Sequence, residues 1–204
     1  MQKIDLKKEL KSLYSPSAKE VNAVTVPPMN FIMIDGSGDP NTAASYRDAI
    51  AALYALSYTL KFMVKKEQGI DYGVMPLEGL WWAGDLALFT QGNDNWKWTA
   101  MIMQPQYITK DLFETALHQV KKKKPSPGLE LARFERYDEG QSAKILYIGP
   151  YSAEGPTIEK VHQFIESRGG KFDGLTQRHH EIYLGDPRKA SPDKLKTIIR
   201  QPFQ

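Results

Sequence analysis

The chain has 204 residues, a formal net charge of +3 from 27 Lys plus Arg against 24 Asp plus Glu, and no cysteine. Its 41% hydrophobic residues suffice for one large domain or two halves sharing a core, and the small positive excess does not call for a nucleic-acid partner. Disulfides, thiolate nucleophiles and cysteine-ligated metals are excluded, and with neither a signal-peptide segment nor a membrane-length apolar run, a cytoplasmic protein without membrane contact is expected.

Residues 1–28 carry mixed charges and end in Val26-Pro27-Pro28, which reads as an N-terminal arm ahead of a domain over 29–204. Phe31-Ile32-Met33-Ile34 is a short apolar strand closed by the turn-rich Asp35-Gly36-Ser37-Gly38-Asp39-Pro40. A long helix follows over about 43–65. Tyr46, Ile50, Leu53, Ser57, Leu60 and Val64 fall at helical spacing, and Tyr54, Tyr58 and Phe62 form a second stripe, which predicts a helix covered on more than one side. Tyr72–Met75, Gly79–Ala83 and Trp96–Met103 read as strands stopped by Pro76, Gly84 and Pro105, with a turn at Gln91–Asn95 before the last. A second helix over 110–122 has Leu112, Phe113, Ala116, Leu117 and Val120 on one face and Thr109 as its N-cap. Lys121–Lys124 then complement the negative end of its dipole before Pro125-Ser126-Pro127-Gly128, the clearest linker in the chain.

Beyond the linker, Leu131–Tyr137 and Ala143–Ile148 flank Asp138-Glu139-Gly140 and predict a β-hairpin. Pro156 opens a helix that Gly169-Gly170 closes, with Ile158, Val161, His162 and Ile165 on its buried stripe. His179–Leu184 and Leu195–Ile199 are the last strands. The elements form two halves, about 29–124 and 129–204, which repeat weakly in order. Two such halves side by side place a cleft between them, where pockets usually form.

Strand alternation in His179-His180-Glu181-Ile182-Tyr183-Leu184 sets Ile182 and Leu184 on one face, to pack beneath the helices, and Glu181 and Tyr183 on the other. By pattern alone this second face is a solvated, polar one. Tyr147 opposes Leu146 and Ile148, and the Gly149-Pro150 break throws Tyr151 out at a strand end; two core tyrosines are the simplest reading. Trp81 and Trp82 are adjacent and face opposite ways, so at most one enters a given pocket, while Trp96 and Trp98 share a face. The histidines show no ligand spacing, no phosphate loop or nucleophile elbow occurs, and neither a metal nor a cofactor is expected.

Three stretches together carry a resemblance: Pro76-Leu77-Glu78-Gly79-Leu80-Trp81-Trp82-Ala83-Gly84-Asp85, Trp96-Lys97-Trp98-Thr99-Ala100-Met101-Ile102-Met103-Gln104-Pro105, and His179-His180-Glu181-Ile182-Tyr183-Leu184-Gly185-Asp186-Pro187-Arg188. With Tyr147-Ile148-Gly149-Pro150-Tyr151 and Leu195–Pro202, the chain resembles the stand-alone GyrI-like small-molecule-binding proteins and, through them, the effector-binding domains of AraC-type and MerR-type multidrug-responsive regulators. The resemblance implies an α+β fold of duplicated β-α-β-β (SHS2-like) units, antiparallel sheets with helices on one face and a ligand groove on the other. Some stand-alone members hydrolyse cyclopropane-bearing DNA-alkylating natural products. The family's acidic groove residue falls on Glu181 and its Gly-Pro-Tyr tyrosine on Tyr151. Trp81, Trp82, Trp96, Met101, Tyr147 and Tyr183 are the residues expected to line the groove around a flat aromatic ligand.

Residues 1–28 are too short for a DNA-binding segment, so a transcription factor is not expected. In one reading Glu181 is a general base that aligns water against a cyclopropane carbon, its pKa raised by the groove, while Tyr151 or Tyr183 donates to the carbonyl that gains charge. In another it is the countercharge of a cationic aromatic ligand that the protein sequesters. A third reading, a protein inhibitor like the family's namesake, needs an exposed apolar patch. A monomer and a homodimer are equally compatible with the sequence.

Overall fold

The computed structural model describes residues 2–83 and 95–204. The expected turn at 91–95, apart from Asn95, lies outside these residues, as does the Gly84 strand stop. In chain order the elements are β1 (Gln2–Ile4), α1 (Leu6–Glu9), α2 (Lys11–Tyr14), β2 (Asn22–Val26), β3 (Met29–Ser37), α3 (Ala44–Gln68), β4 (Ile70–Tyr72), β5 (Leu77–Trp82) and β6 (Lys97–Gln104). They continue as α4 (Lys110–Lys123), α5 (Pro127–Glu130), β7 (Arg133–Tyr137), β8 (Gly140–Ile148), α6 (Gly155–Glu166), β9 (His179–Tyr183) and β10 (Lys196–Pro202). Among the described residues no helix is long and apolar enough to cross a membrane.

Local signals set several helix ends. The Thr109 hydroxyl accepts from the Leu112 N–H at 3.3 Å and caps α4, whose last turn carries Lys121, Lys122 and Lys123 at the negative end of the dipole. Pro156 stands in the first turn of α6, where its missing N–H costs nothing. The second stripe of α3 is not covered: Tyr58 and Phe62 are exposed, and Tyr54, Tyr58 and Phe62 stack on one another instead, with ring centroids 6.4 Å apart.

Strands pair in the order β2-β8-β10-β9-β5-β6-β3-β7, antiparallel throughout, beside a small parallel pair of β1 and β4. This order contains two equivalent β-α-β-β units, β3-α3-β5-β6 and β8-α6-β9-β10. In each the third strand lies between the first two, and the units meet where β5 pairs with β9. The architecture is the duplicated α+β one.

The expected hairpin at Asp138-Glu139-Gly140 is absent; β7 pairs with β3, and β8 with β2 and β10. Val26 faces Gly140 and Met29 faces Tyr137, a step of three residues along each chain, so β2–β3 and β8–β7 form one antiparallel ribbon in unbroken register. The ribbon bends where Pro27-Pro28 supplies no N–H and where Gly140 adopts φ +72°, a conformation that costs a side-chain-bearing residue strain. Since the ribbon's two ends are the two edges of the strand order, the sheet curls round on itself. The stretch read as an N-terminal arm belongs to the fold: β2 extends the sheet, and Leu13 and Tyr14 of α2 are buried in the main core with Phe31, Met33, Met101, Ile182 and Ile198.

Curling gives the sheet an inner and an outer face. The register places Glu78, His180 and Arg200 on the inner one, and Glu139 turns in from the β7–β8 bend. His180 has Glu78 Oε2 at 2.9 Å from Nε2 and Glu139 Oε1 at 3.0 Å from Nδ1, and Arg200 Nη1 donates to Glu139 Oε2 at 2.8 Å. Tyr14 donates to Glu78 Oε1 at 2.7 Å, Arg200 Nη2 donates to the Leu13 carbonyl at 3.2 Å, and the Lys144 ammonium meets the Ser12 carbonyl. Burial opposes charge on His180, but Glu139 and Glu78 outweigh it and raise the pKa. Burial likewise opposes charge on Glu139, yet Arg200 and His180 bring its carboxyl from 4.5 down to about 2.

Removing one partner from such a cluster leaves buried charge uncompensated. Glu139→Gln is therefore expected to cost about 3–5 kcal/mol in urea unfolding. The depressed Glu139 adds stability that is complete above its unfolded value of 4.5 and lost as the pH falls toward 2. The raised His180 adds stability that is complete below 6.5 and lost as the pH rises through its folded value. Unfolding midpoints measured across this range should fall off on both sides of a plateau, and the acid limb should flatten in the Glu139→Gln variant. An unchanged acid limb in that variant would show that Glu139 does not carry it.

Candidate functional site

On β9 the side chains alternate, so with His180 and Ile182 pointing inward, His179, Glu181 and Tyr183 point outward. The outer face is the one that carries the helices: Tyr46 of α3 packs its ring on Trp81 and Trp98, and Val161 and Ile165 of α6 pack on Ala143, Ile145 and Ile199. Glu181 thus lies in the seam between α3 and α6, not on a helix-free face. The apolar Ile182 packs away from the helices, in the core that includes α2. The reason is the curl: it turns the helix-free face into an interior, leaving the gap between the two helices as the outward recess.

Glu181 accepts from Tyr183 Oη at 2.7 Å on Oε2 and has His179 Nε2 at 3.1 Å from Oε1. The Trp81 indole N–H donates to Tyr183 Oη at 3.0 Å. Glu154, at the start of α6, also hydrogen-bonds Glu181. The Glu181 side chain is 14% exposed. Burial works against its charge, but the bonds from His179, Tyr183 and Glu154 together hold its pKa below the usual value. The raised pKa expected for Glu181 falls on Glu154, which burial and then the Glu181 carboxylate push up to about 9. Of two coupled carboxyls in one site, one ionises and the other keeps the proton.

Trp81, Trp96, Tyr147, Tyr151 and Tyr183 gather around this pair. Tyr151 meets Tyr183 edge to face at 5.7 Å, and Trp96 meets Trp81 at 5.7 Å. Tyr147 faces Thr197, itself the cross-strand partner of Tyr183, and donates to the Pro150 carbonyl at 3.0 Å. Burial lifts the Tyr151 phenol to about 12, which keeps it a hydrogen-bond donor. Trp82 and Met101 lie elsewhere. Alternation turns both to the opposite face, where Trp82 carries the Arg178 guanidinium 3.8 Å above its ring and Met101 is wholly buried. Cavities of about 440 and 420 Å³ lie outside the seam, lined by Lys3, Lys61 and Tyr72 among others and by Lys171, Phe172 and Gln177 among others.

Three members of the site escape a sequence reading. Tyr46 looks like one more apolar position on α3. His179 precedes a more conspicuous His180. Glu154 sits at the start of a helix, where an acid reads as a cap, although its side chain caps nothing there. No local signal separates these roles.

A doubled β-α-β-β fold with a carboxyl pair in an aromatic seam defines a small-molecule-binding module. The chain belongs to the GyrI-like family, whose small molecule binding domain matches residues 19–203. Among solved structures it is similar to an uncharacterized conserved protein from Listeria innocua, 40% identical, covering 98% of this chain and 100% of that one with a TM-score of 0.89. It is also similar to a hydrolase from Listeria innocua, 39% identical over 98% of this chain and 100% of that one with a TM-score of 0.87. The EcmrR C-terminal domain, 13% identical over 91% of this chain and 97% of that one, shares the fold with a TM-score of 0.55. No curated protein matches the chain significantly.

Gly79 faces Glu181 across the central strand pair, and a Cβ there would stand 2.6 Å from Trp81 Nε1. Trp81 lies over this glycine to reach Tyr183. Gly79→Ala should displace the indole, break its bond to Tyr183 and cost about 1–3 kcal/mol, the usual range for overpacking. A changed tryptophan emission in a folded protein checks this; an unchanged spectrum and stability would mean the indole does not need that space.

Proposed function

We propose that this protein binds flat, lipophilic small molecules in the seam between α3 and α6 and hydrolyses those bearing an electrophilic cyclopropane. The observation that carries the reading is Glu181, a carboxylate held ionised by three hydrogen bonds among aromatic rings. A charge so placed acts strongly on whatever enters, because little water screens it. The likeness to a hydrolase at 39% identity supports catalysis over binding alone.

For a cyclopropane conjugated to a carbonyl, a water oxygen bonds to a ring carbon as a ring C–C bond breaks. The released electron pair moves to the carbonyl oxygen. Glu181 is the final acceptor of the water proton. Tyr183 is committed to Glu181, so Tyr151 donates to the carbonyl oxygen as charge develops there. A second reading, sequestration of a cationic aromatic compound, has one observation in its favour: Glu181 is ionised before any ligand arrives.

Glu181→Gln keeps the shape and removes the basicity. Incubation with a cyclopropane-bearing alkylator should give a water adduct by mass spectrometry with the wild type. The variant should lose about 10²–10⁴-fold in rate, the usual size of general-base catalysis, while still binding neutral substrate. Stoichiometric binding without product, together with lost affinity for cations in the variant, would establish sequestration instead.

A further inference from the structure

The outward face of α3 is apolar where a solvated helix face is ordinarily polar. Ala44, Ala51, Tyr58 and Phe62 are exposed on it and Ala55 is half-buried, with Tyr58 48% and Phe62 58% open to water. Aromatic side chains open to water in a contiguous row mark a surface built to be covered. Ala51, Ala55, Tyr58 and Phe62 follow one another at steps of four, three and four residues. That is the seam spacing of packed helix pairs, and it holds all four within about 60° of arc. Tyr46, which packs on Trp81, lies on the opposite side of the helix, so covering this face leaves the recess around Glu181 open.

Side-chain size is graded along the stripe, with alanines toward its N-terminal end and rings toward its C-terminal end. Two copies of α3 laid antiparallel about a midpoint between residues 56 and 57 set Phe62 of each against Ala51 of the other, and Tyr58 against Ala55. Large side chains then enter the gaps above small ones, as close packing between helices requires. The charges agree. Asp48 and Lys66 stand about five helical turns apart on one flank of the stripe. In the antiparallel register Asp48 of one copy comes within one position of Lys66 of the second, twice by symmetry. On the other flank Arg47 approaches Lys65 of the second copy, whose charge Asp71 already compensates at 2.8 Å. A parallel pairing would stack ring on ring, alanine on alanine, Asp48 on Asp48 and Lys66 on Lys66. We propose that two copies of this chain associate through this face of α3, antiparallel, with the rings of each seated over the alanines of the other. Neither this association nor the reaction proposed for the seam depends on the other.

Sedimentation velocity of the full chain from low micromolar to millimolar concentration tests this. One helix face is a small contact, below about 1,200 Å², so the expected behaviour is a reversible dimer that fills as concentration rises. Phe62→Glu should weaken association about 100-fold or more, because the contact would bury an unpaired carboxylate. The same variant should leave the urea midpoint unchanged, because residue 62 is exposed in the single chain. Asp48→Lys and Lys66→Asp should each weaken association about tenfold, as both symmetry-related pairs become like-charged, and the double exchange should restore it. A wild type that stays monomeric at millimolar concentration would overturn the proposal and leave the face to a different occupant, such as another protein. A dimer that persists in Phe62→Glu would place the contact elsewhere and overturn it equally. Weakening in both single charge variants without restoration in the double one would overturn the antiparallel pairing.

Discussion

Inside the curled sheet, His180 holds a carboxyl oxygen against each ring nitrogen, one from β5 and one from the β7–β8 bend. Both nitrogens must then donate, so the ring is an imidazolium, which is stable in a dry interior only while both acids stay in place. Arg200 completes the cluster from β10, and Tyr14 and the Leu13 carbonyl fasten α2 to it. The cluster therefore ties the centre of the sheet, its bend and its N-terminal cover to a single set of charges. Hydrophobic packing would accept a strand shifted by two residues; this set of bonds does not.

The site follows from that register. With His180 fixed inward, the next residue must point outward, and Glu181 reaches the seam between the two long helices of the repeat. There burial disfavours two charges at once. His179 and Tyr183 bond to Glu181, so Glu181 ionises and Glu154 keeps its proton. One strand thus carries the buried charge cluster on one face and the candidate site on the other, through consecutive residues.

The fold is doubled, but its site is not. At the centre, where β5 meets β9, Glu181 is opposed by Gly79 rather than by a second acid. The missing side chain leaves the space over which the Trp81 indole lies to reach Tyr183. Only one unit supplies the strand carboxylate, and the other supplies an aromatic wall.

Much of the local structure was legible in the chain. Thr109, the lysines of α4, Pro156 and the alternation on β9 act through neighbours in sequence, so their spacing alone fixes helix ends and faces. The resemblance pointed to Glu181 and its tyrosines because that strand and the Gly-Pro-Tyr break are contiguous segments. Other features depend on residues far apart in the chain. Asp138-Glu139-Gly140 has the composition of a hairpin turn, but Glu139 is drawn toward Arg200 and His180, and β7 and β8 pair with other strands. Trp82 and Met101 have the same chemistry as the residues of the seam, and only the side toward which their strands curl turns them away. Glu154 carries no sign of its raised pKa because a carboxyl's protonation is set by what burial brings beside it. By itself the sequence determined the elements, their faces and the acid at the centre of β9. The tertiary structure alone decided which face became an interior and which pair of acids came to lie side by side, since desolvation and charge coupling arise only when distant segments are packed together.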